Sequence, residues 1–145
     1  MKRSGFTLVE IMFVIFIVSF LLSIAVVQGV ELRKRANESN AQANLKGIAS
    51  AFEIYAAGNG GLYAQGPESN LQYLVSSNCA AQDFVSIGQV GNFLYSVGYI
   101  NRDGYDIRAI AVSPALADHN YQITTGGLLK RSRTSAPGDV SFEIY

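Results

Sequence analysis

From Ile11 to Val27 no residue carries a charge, and directly before that run stands a single acid, Glu10. Taken as one helix, Phe6 to Val30 would measure about 37 Å at 1.5 Å per residue, longer than the ~30 Å hydrocarbon core of a bilayer. The run therefore predicts a membrane-spanning helix, and Glu10 is its one blemish. A carboxylate in hydrocarbon costs roughly 2.5–3.5 kcal/mol even on the lenient insertion scale. Two readings satisfy that cost. Either Glu10 is paired with a cation, or it lies at the interface with access to water, one turn from the helix start.

The residues around it are Lys2-Arg3-Ser4-Gly5-Phe6-Thr7-Leu8-Val9-Glu10. With Gly5, Phe6, Thr7, Leu8 and Glu10 followed by an apolar run, the chain resembles the type IV pilin and type II secretion pseudopilin superfamily. The resemblance implies a short basic leader, residues 1–5, cut after Gly5 by an inner-membrane prepilin peptidase, and N-methylation of the new Phe6 amine. An ordinary secretory signal has its apolar region before the cleavage site and loses it. Here the proposed cut precedes the apolar region, so the anchor stays.

Cleavage would turn the Phe6 nitrogen from a neutral amide into an ammonium group. Glu10 lies four residues along, where an i,i+4 contact is geometrically possible. In a bundle of such helices the same carboxylate could reach the Phe6 ammonium of a neighbouring subunit and fix the axial stagger, as the resemblance implies. Charges leaving water are tolerable only in pairs. One departure from the family lies in the stretch Ala25-Val26-Val27-Gln28-Gly29, where Val27 replaces the usual proline. A proline kink therefore does not carry over, and Gly29 is a different weak point, about 1 kcal/mol worse than Ala in a helix interior.

The chain has 145 residues, and about a hundred remain beyond the span, enough for one small domain. Eleven basic residues balance eleven acidic ones, and loss of Lys2 and Arg3 would leave nine against eleven. Nothing in that balance argues for nucleic acid as a partner. Cys79 is the single cysteine, so an intrachain disulfide is impossible, a departure from the many type IV pilins that close a C-terminal loop that way. Charge does not settle topology, because Arg33-Lys34-Arg35 follows the span while Lys2 and Arg3 precede it. The resemblance implies a cytoplasmic N-terminus. Arg33 to Arg35 would either snorkel to lipid headgroups or make a contact in an assembled filament.

From Glu31 to Ala57 there is no proline, and Leu45, Ile48, Ala49, Phe52, Tyr55 and Ala56 recur at three- and four-residue spacing. That predicts an amphipathic helix with Lys46, Ser50 and Glu53 on its polar side. The small polar stretch Asn37 to Asn44 is expected to join the halves without a core of its own. Gly58-Asn59-Gly60-Gly61 supplies the terminator. The helix should thus run from about Phe6 to Ala57, as a transmembrane half (6–30) and an amphipathic half (31–57), followed by a globular loop and β-sheet region (58–145). In that region Asn70 to Ser76 reads as a short helix and Tyr105 to Val112 as a strand. Tyr121 to Thr124 and Leu128 to Arg131 form a hairpin across Gly126-Gly127, and Val140 to Tyr145 is a final strand. Gly88, Gly91 and Gly98 punctuate the aromatic segment around Phe93 to Tyr99. The expected fold is α+β and pilin-like: a long N-terminal helix packed on three or four antiparallel strands.

Catalytic chemistry has little to stand on. His119 is the single histidine and has no second ligand or assigned nucleophile beside it. Asn101, Asp103 and Asp106 around Gly104 could hold calcium, but they lack the acidic density of a calcium loop and read as a turn. Phe13, Phe16 and Phe20 share a helix face, where packing explains them without a special role. Lys130, Arg131 and Arg133 offer only weak, salt-sensitive phosphate attraction. No metal, cofactor or enzymatic activity is expected.

The resemblance implies a structural subunit, processed by prepilin peptidase and polymerised from the inner membrane with identical or homologous subunits by an assembly platform. It would rest in membrane lipid before joining a pilus on the cell surface. The alternative within the family is a type II secretion pseudopilin in a periplasmic pseudopilus. The alternative of another class is a bitopic membrane protein with a periplasmic binding domain that never polymerises.

Overall fold

A computed structural model describes residues 5–63, 71–133 and 143–144. The dominant element is α1, Leu8–Gly58, 51 residues long. It begins two residues later and ends one residue later than the sequence pattern suggests. The chain forms two compact units that divide within this helix, between Arg33 and Lys34.

The described part of the first unit is residues 5–7 and the apolar half of α1. Its large apolar side chains are exposed: Phe6, just before the helix, is 79% exposed, Phe16 70% and Val27 67%. Its most apolar stretch has a mean hydropathy of 2.7, and α1 is the only helix among the described residues long and apolar enough to cross a membrane. The two serines in the stretch are satisfied internally. Ser19 donates to the Ile15 carbonyl (2.7 Å) and Ser23 to that of Ser19 (2.9 Å), so neither hydroxyl needs water. The helix continues without interruption through Val27 and Gly29.

The second unit holds a core. Leu45, Ile48, Ala49, Phe52 and Ala56 are buried along one face of α1, as their spacing predicts, and Ala41 and Ala51 join them. Phe52 stacks on Tyr105 with ring centroids 4.2 Å apart and meets Tyr73 edge-on at 6.5 Å. The helix ends where glycine permits it: Gly61 donates to the Ala56 carbonyl, and Gly60 and Gly61 both take positive φ.

Two short helices, α2 (Gln72–Ser76) and α3 (Phe84–Ile87), lead into six strands: β1 (Gln89–Val90), β2 (Phe93–Ile100), β3 (Tyr105–Ala111), β4 (His119–Thr124), β5 (Leu128–Arg133) and β6 (Glu143–Ile144). Each strand pairs antiparallel with the next, giving a meander in sequence order. The fold is α+β. Phe93, Tyr95, Ile107, Ala109, Tyr121 and Ile123 form the sheet's contribution to the core.

The sheet is larger than the three or four strands expected, and β2 is the main addition. Gly98, which reads as punctuation in the sequence, lies inside this strand at a register shift between Val97 and Tyr99. A Cβ there would overlap the carboxylate of Asp106 on β3, so close approach, and not chain reversal, accounts for the glycine. α3 was likewise unanticipated. Its N-cap, Asp83, accepts from Val85 N and Ser86 N with one oxygen and from Leu71 N with the other. Asn70 and most of the expected final strand, residues 140–142 and 145, lie outside the described residues.

Candidate functional site

The residues singled out by the sequence gather at the start of α1. Gly5, Phe6 and Thr7 precede the helix, and Thr7 occupies the N-cap position. Its hydroxyl oxygen accepts from Glu10 N at 3.3 Å, while Thr7 N donates to Glu10 Oε2 at 3.4 Å. This reciprocal arrangement is a capping box, which satisfies two of the backbone donors that every helix start leaves open. It also directs a negative group toward the positive end of the helix dipole.

Phe6 lies outside the helix, and in the uncut chain its nitrogen is a peptide amide. The carboxylate instead engages the nitrogen of the next residue, Thr7. Gly5 has nothing within 4 Å of where a Cβ would stand, and its φ is not in the left-handed region. Among the described residues, neither packing nor backbone conformation calls for glycine at this position. Residues 1–4, including Lys2 and Arg3, lie outside the described residues.

The other sequence candidates fall into structural roles. Lys34 forms an ion pair with Asp118 at 2.6 Å, a third alternative to the headgroup and filament contacts considered for it. Beside it, Glu38 gathers the start of β4: Oε1 accepts from Asp118 N (2.7 Å) and His119 N (3.0 Å) and lies 3.2 Å from His119 Nδ1, and Oε2 accepts from the Tyr121 hydroxyl (3.0 Å). Asn37 donates to the Leu116 carbonyl. The polar stretch Asn37 to Asn44 is thus no passive joint. It holds the β3–β4 connection by hydrogen bonds and places Ala41 in the core.

Glu53 also departs from the polar face assigned to it. Its carboxylate accepts from the hydroxyls of Tyr63 (3.0 Å) and Tyr105 (3.2 Å) and from Gly126 N (3.2 Å), tying the end of α1 to the β4–β5 turn. The Tyr63 hydroxyl is held above the ordinary phenol range by its hydrogen bond to Glu53, then by burial and the nearby charge. Tyr105 is raised chiefly by burial and then by the Glu53 charge. Both phenols stay protonated and remain donors.

Around Gly104 the carboxylates do not converge. Asn101 Oδ1 accepts from Asp103 N and Gly104 N, forming a turn. Asp106 is buried on β3 and pairs with Arg108 at 2.9 Å. No cluster of three potential metal-ligating side chains exists among the described residues. The carboxylate clamps at Glu38 and Glu53 were not legible in the sequence because all their partners but Tyr63 lie some fifty to eighty residues away. The tyrosines carried the available signal, since a buried phenol needs an acceptor.

Comparison with known proteins bears on the same N-terminal segment. The prokaryotic N-terminal methylation motif matches residues 1–26. Over 54 residues the chain is 41% identical to the type IV narrow pilus major component PilA5 of Thermus thermophilus, a match covering 37% of this chain and 47% of that protein. The chain thus spans less than half the length of that relative.

Proposed function

We propose, from the match to the N-terminal methylation motif and the similarity to a type IV pilus component, that this chain is a member of the type IV pilin superfamily and a structural subunit of a type IV pilus-like filament, made as a precursor, cut between Gly5 and Phe6 and polymerised from the inner membrane. The observation that carries this reading is the juxtaposition at the helix start. A glycine that no packing contact among the described residues requires is followed by a capped helix, an acid in its first turn and an apolar surface left uncovered.

The uncovered surface needs lipid, and then the helices of neighbouring subunits, to remove it from water. Gly5 supports the cleavage assignment because a residue that the fold does not require is free to serve recognition by another protein. Prepilin peptidase is the partner proposed for it, and Phe6 the residue it methylates. Cutting there creates an ammonium group one residue from the nitrogen that Glu10 already engages. The carboxylate then has a cation to pair with, in its own chain or in the next subunit, and the cost of taking either charge from water falls. An inner-membrane assembly platform would carry the subunit from lipid to the filament.

The test is mass spectrometry of the mature N-terminus from native envelopes. The expected terminus is N-methylated Phe6, and Gly5→Val should leave a full-length precursor in the membrane. A native chain retaining Met1, or normal maturation of Gly5→Val, would overturn the assignment.

A further inference from the structure

Asn37, Asn40 and Asn44 stand at i, i+3 and i+7 on α1 and line one wall of a groove whose opposite wall is the β1–β2 turn, with Asn92 at its tip. Asparagine is among the weaker helix formers because its side chain competes for backbone hydrogen bonds. Three of them along one line of a helix therefore need a reason other than propensity. Two have one inside the fold. Asn37 donates to the Leu116 carbonyl at 2.9 Å and Asn44 to the Tyr95 hydroxyl at 3.0 Å, which fixes both amides in the groove wall. Asn40 and Asn92 make no side-chain hydrogen bond among the described residues.

The groove has a volume of about 250 Å³ and no charged residue in its lining. The buried pair Phe93 and Tyr95 and the small Ala41 and Ala43 complete its lining with Val90 and Gly91. The turn is held in place, since Gly91 adopts a positive φ and the Asn92 carbonyl accepts from Val112 N. Each carboxamide offers both donors and an acceptor and stays neutral at every physiological pH. A row of such groups matches a ligand whose own groups both donate and accept, which is the property of hydroxyls. The absence of charge in the lining disfavours anions and cations. The volume falls below the roughly 300–1,000 Å³ of sites for drug-sized molecules, which points to a single ring.

We propose that this asparagine-lined groove is a binding site for a neutral, hydroxyl-rich ligand of the size of one sugar residue, with Asn40 and Asn92 as its recognition groups. The site lies wholly within the folded unit and does not rest on the filament reading.

The test uses the full chain in zwitterionic phosphocholine micelles, which bring no sugar headgroup, with nitrogen-15 labelled asparagine. Methyl glucoside, methyl galactoside, methyl mannoside and N-acetylglucosamine are titrated separately while the side-chain amide signals are followed, and triglycine serves as a peptide probe. The expected result is a saturable shift of the Asn40 and Asn92 amides with at least one sugar, with a dissociation constant on the order of 1 mM. Asn40→Ala and Asn92→Ala, both at positions outside the core, should each weaken binding about two- to tenfold, the worth of one hydrogen bond. The proposal is overturned if no sugar gives a saturable shift, if the shifts survive both substitutions, or if triglycine saturates the groove in place of the sugars.

Discussion

At the scale of a single residue, Glu10 has one observed role and one proposed role. In the structure its carboxylate closes a capping box with Thr7, a local role that any acid or amide at this position could approximate. In the proposed filament it also neutralises the Phe6 ammonium, a role only a negative charge can fill. Glu10→Leu separates the two. The variant should still be cleaved and should stay in the membrane, because leucine removes the cost of placing a carboxylate near hydrocarbon. As the sole copy it should fail to enter filaments, since an uncompensated buried ammonium costs about 3–5 kcal/mol per subunit. Sheared filaments at wild-type abundance from Glu10→Leu cells would remove the pairing role. Gly5, Phe6, Thr7 and Glu10 lie within six residues and stood out in the sequence, but the capping box between Thr7 and Glu10 was not read from it. Glu38 and Glu53 did not stand out, because a carboxylate on a helix looks solvated until the strands that supply its donors are in place.

Elements followed the same division between local and distant causes. The face of α1 bearing Leu45, Ile48, Phe52 and Tyr55 was readable because helical periodicity is a short-range signal; the first three are buried and Tyr55 is half-buried against the core. β3, β4 and β5 were readable from alternation and from the glycine turn between them. β2 was missed because its glycine answers to Asp106 across the ladder, a contact with no trace in its own segment. The centre of the buried face gives the sharpest test. Phe52 has no exposure and stacks on Tyr105, so Phe52→Asp removes the ring and buries a carboxylate without a partner. The ring alone is worth about 3–5 kcal/mol, and the unpaired charge adds to that, against a total of about 5–15 kcal/mol for an ordinary domain. The variant should lose near-ultraviolet circular dichroism and cooperative thermal unfolding while the apolar half of α1 still partitions into micelles. Native-like unfolding of Phe52→Asp would show that another face of the helix meets the sheet.

At the scale of the whole molecule, the chain combines a unit with a sealed core and a unit whose side chains are uncovered throughout its apolar run. That asymmetry means the chain completes its burial outside itself, and lipid alone would be a sufficient environment for a bitopic protein. Under the proposed function the final state is a polymer, in which neighbouring helices replace lipid around that surface. A surface pilus and a periplasmic pseudopilus would both use the proposed junction at Gly5 and Phe6, so they are distinguished by where the polymer goes and by what its loss abolishes. The pilus reading expects the native chain in thin fibres sheared from the cell surface and pelleted by centrifugation, and expects its deletion to remove those fibres while folded exoproteins are still secreted. Should the deletion strain keep its fibres and lose secretion, the chain belongs to a pseudopilus. A chain that is methylated at Phe6, yet whose deletion affects neither fibres nor secretion, would refute both polymers as its principal destination.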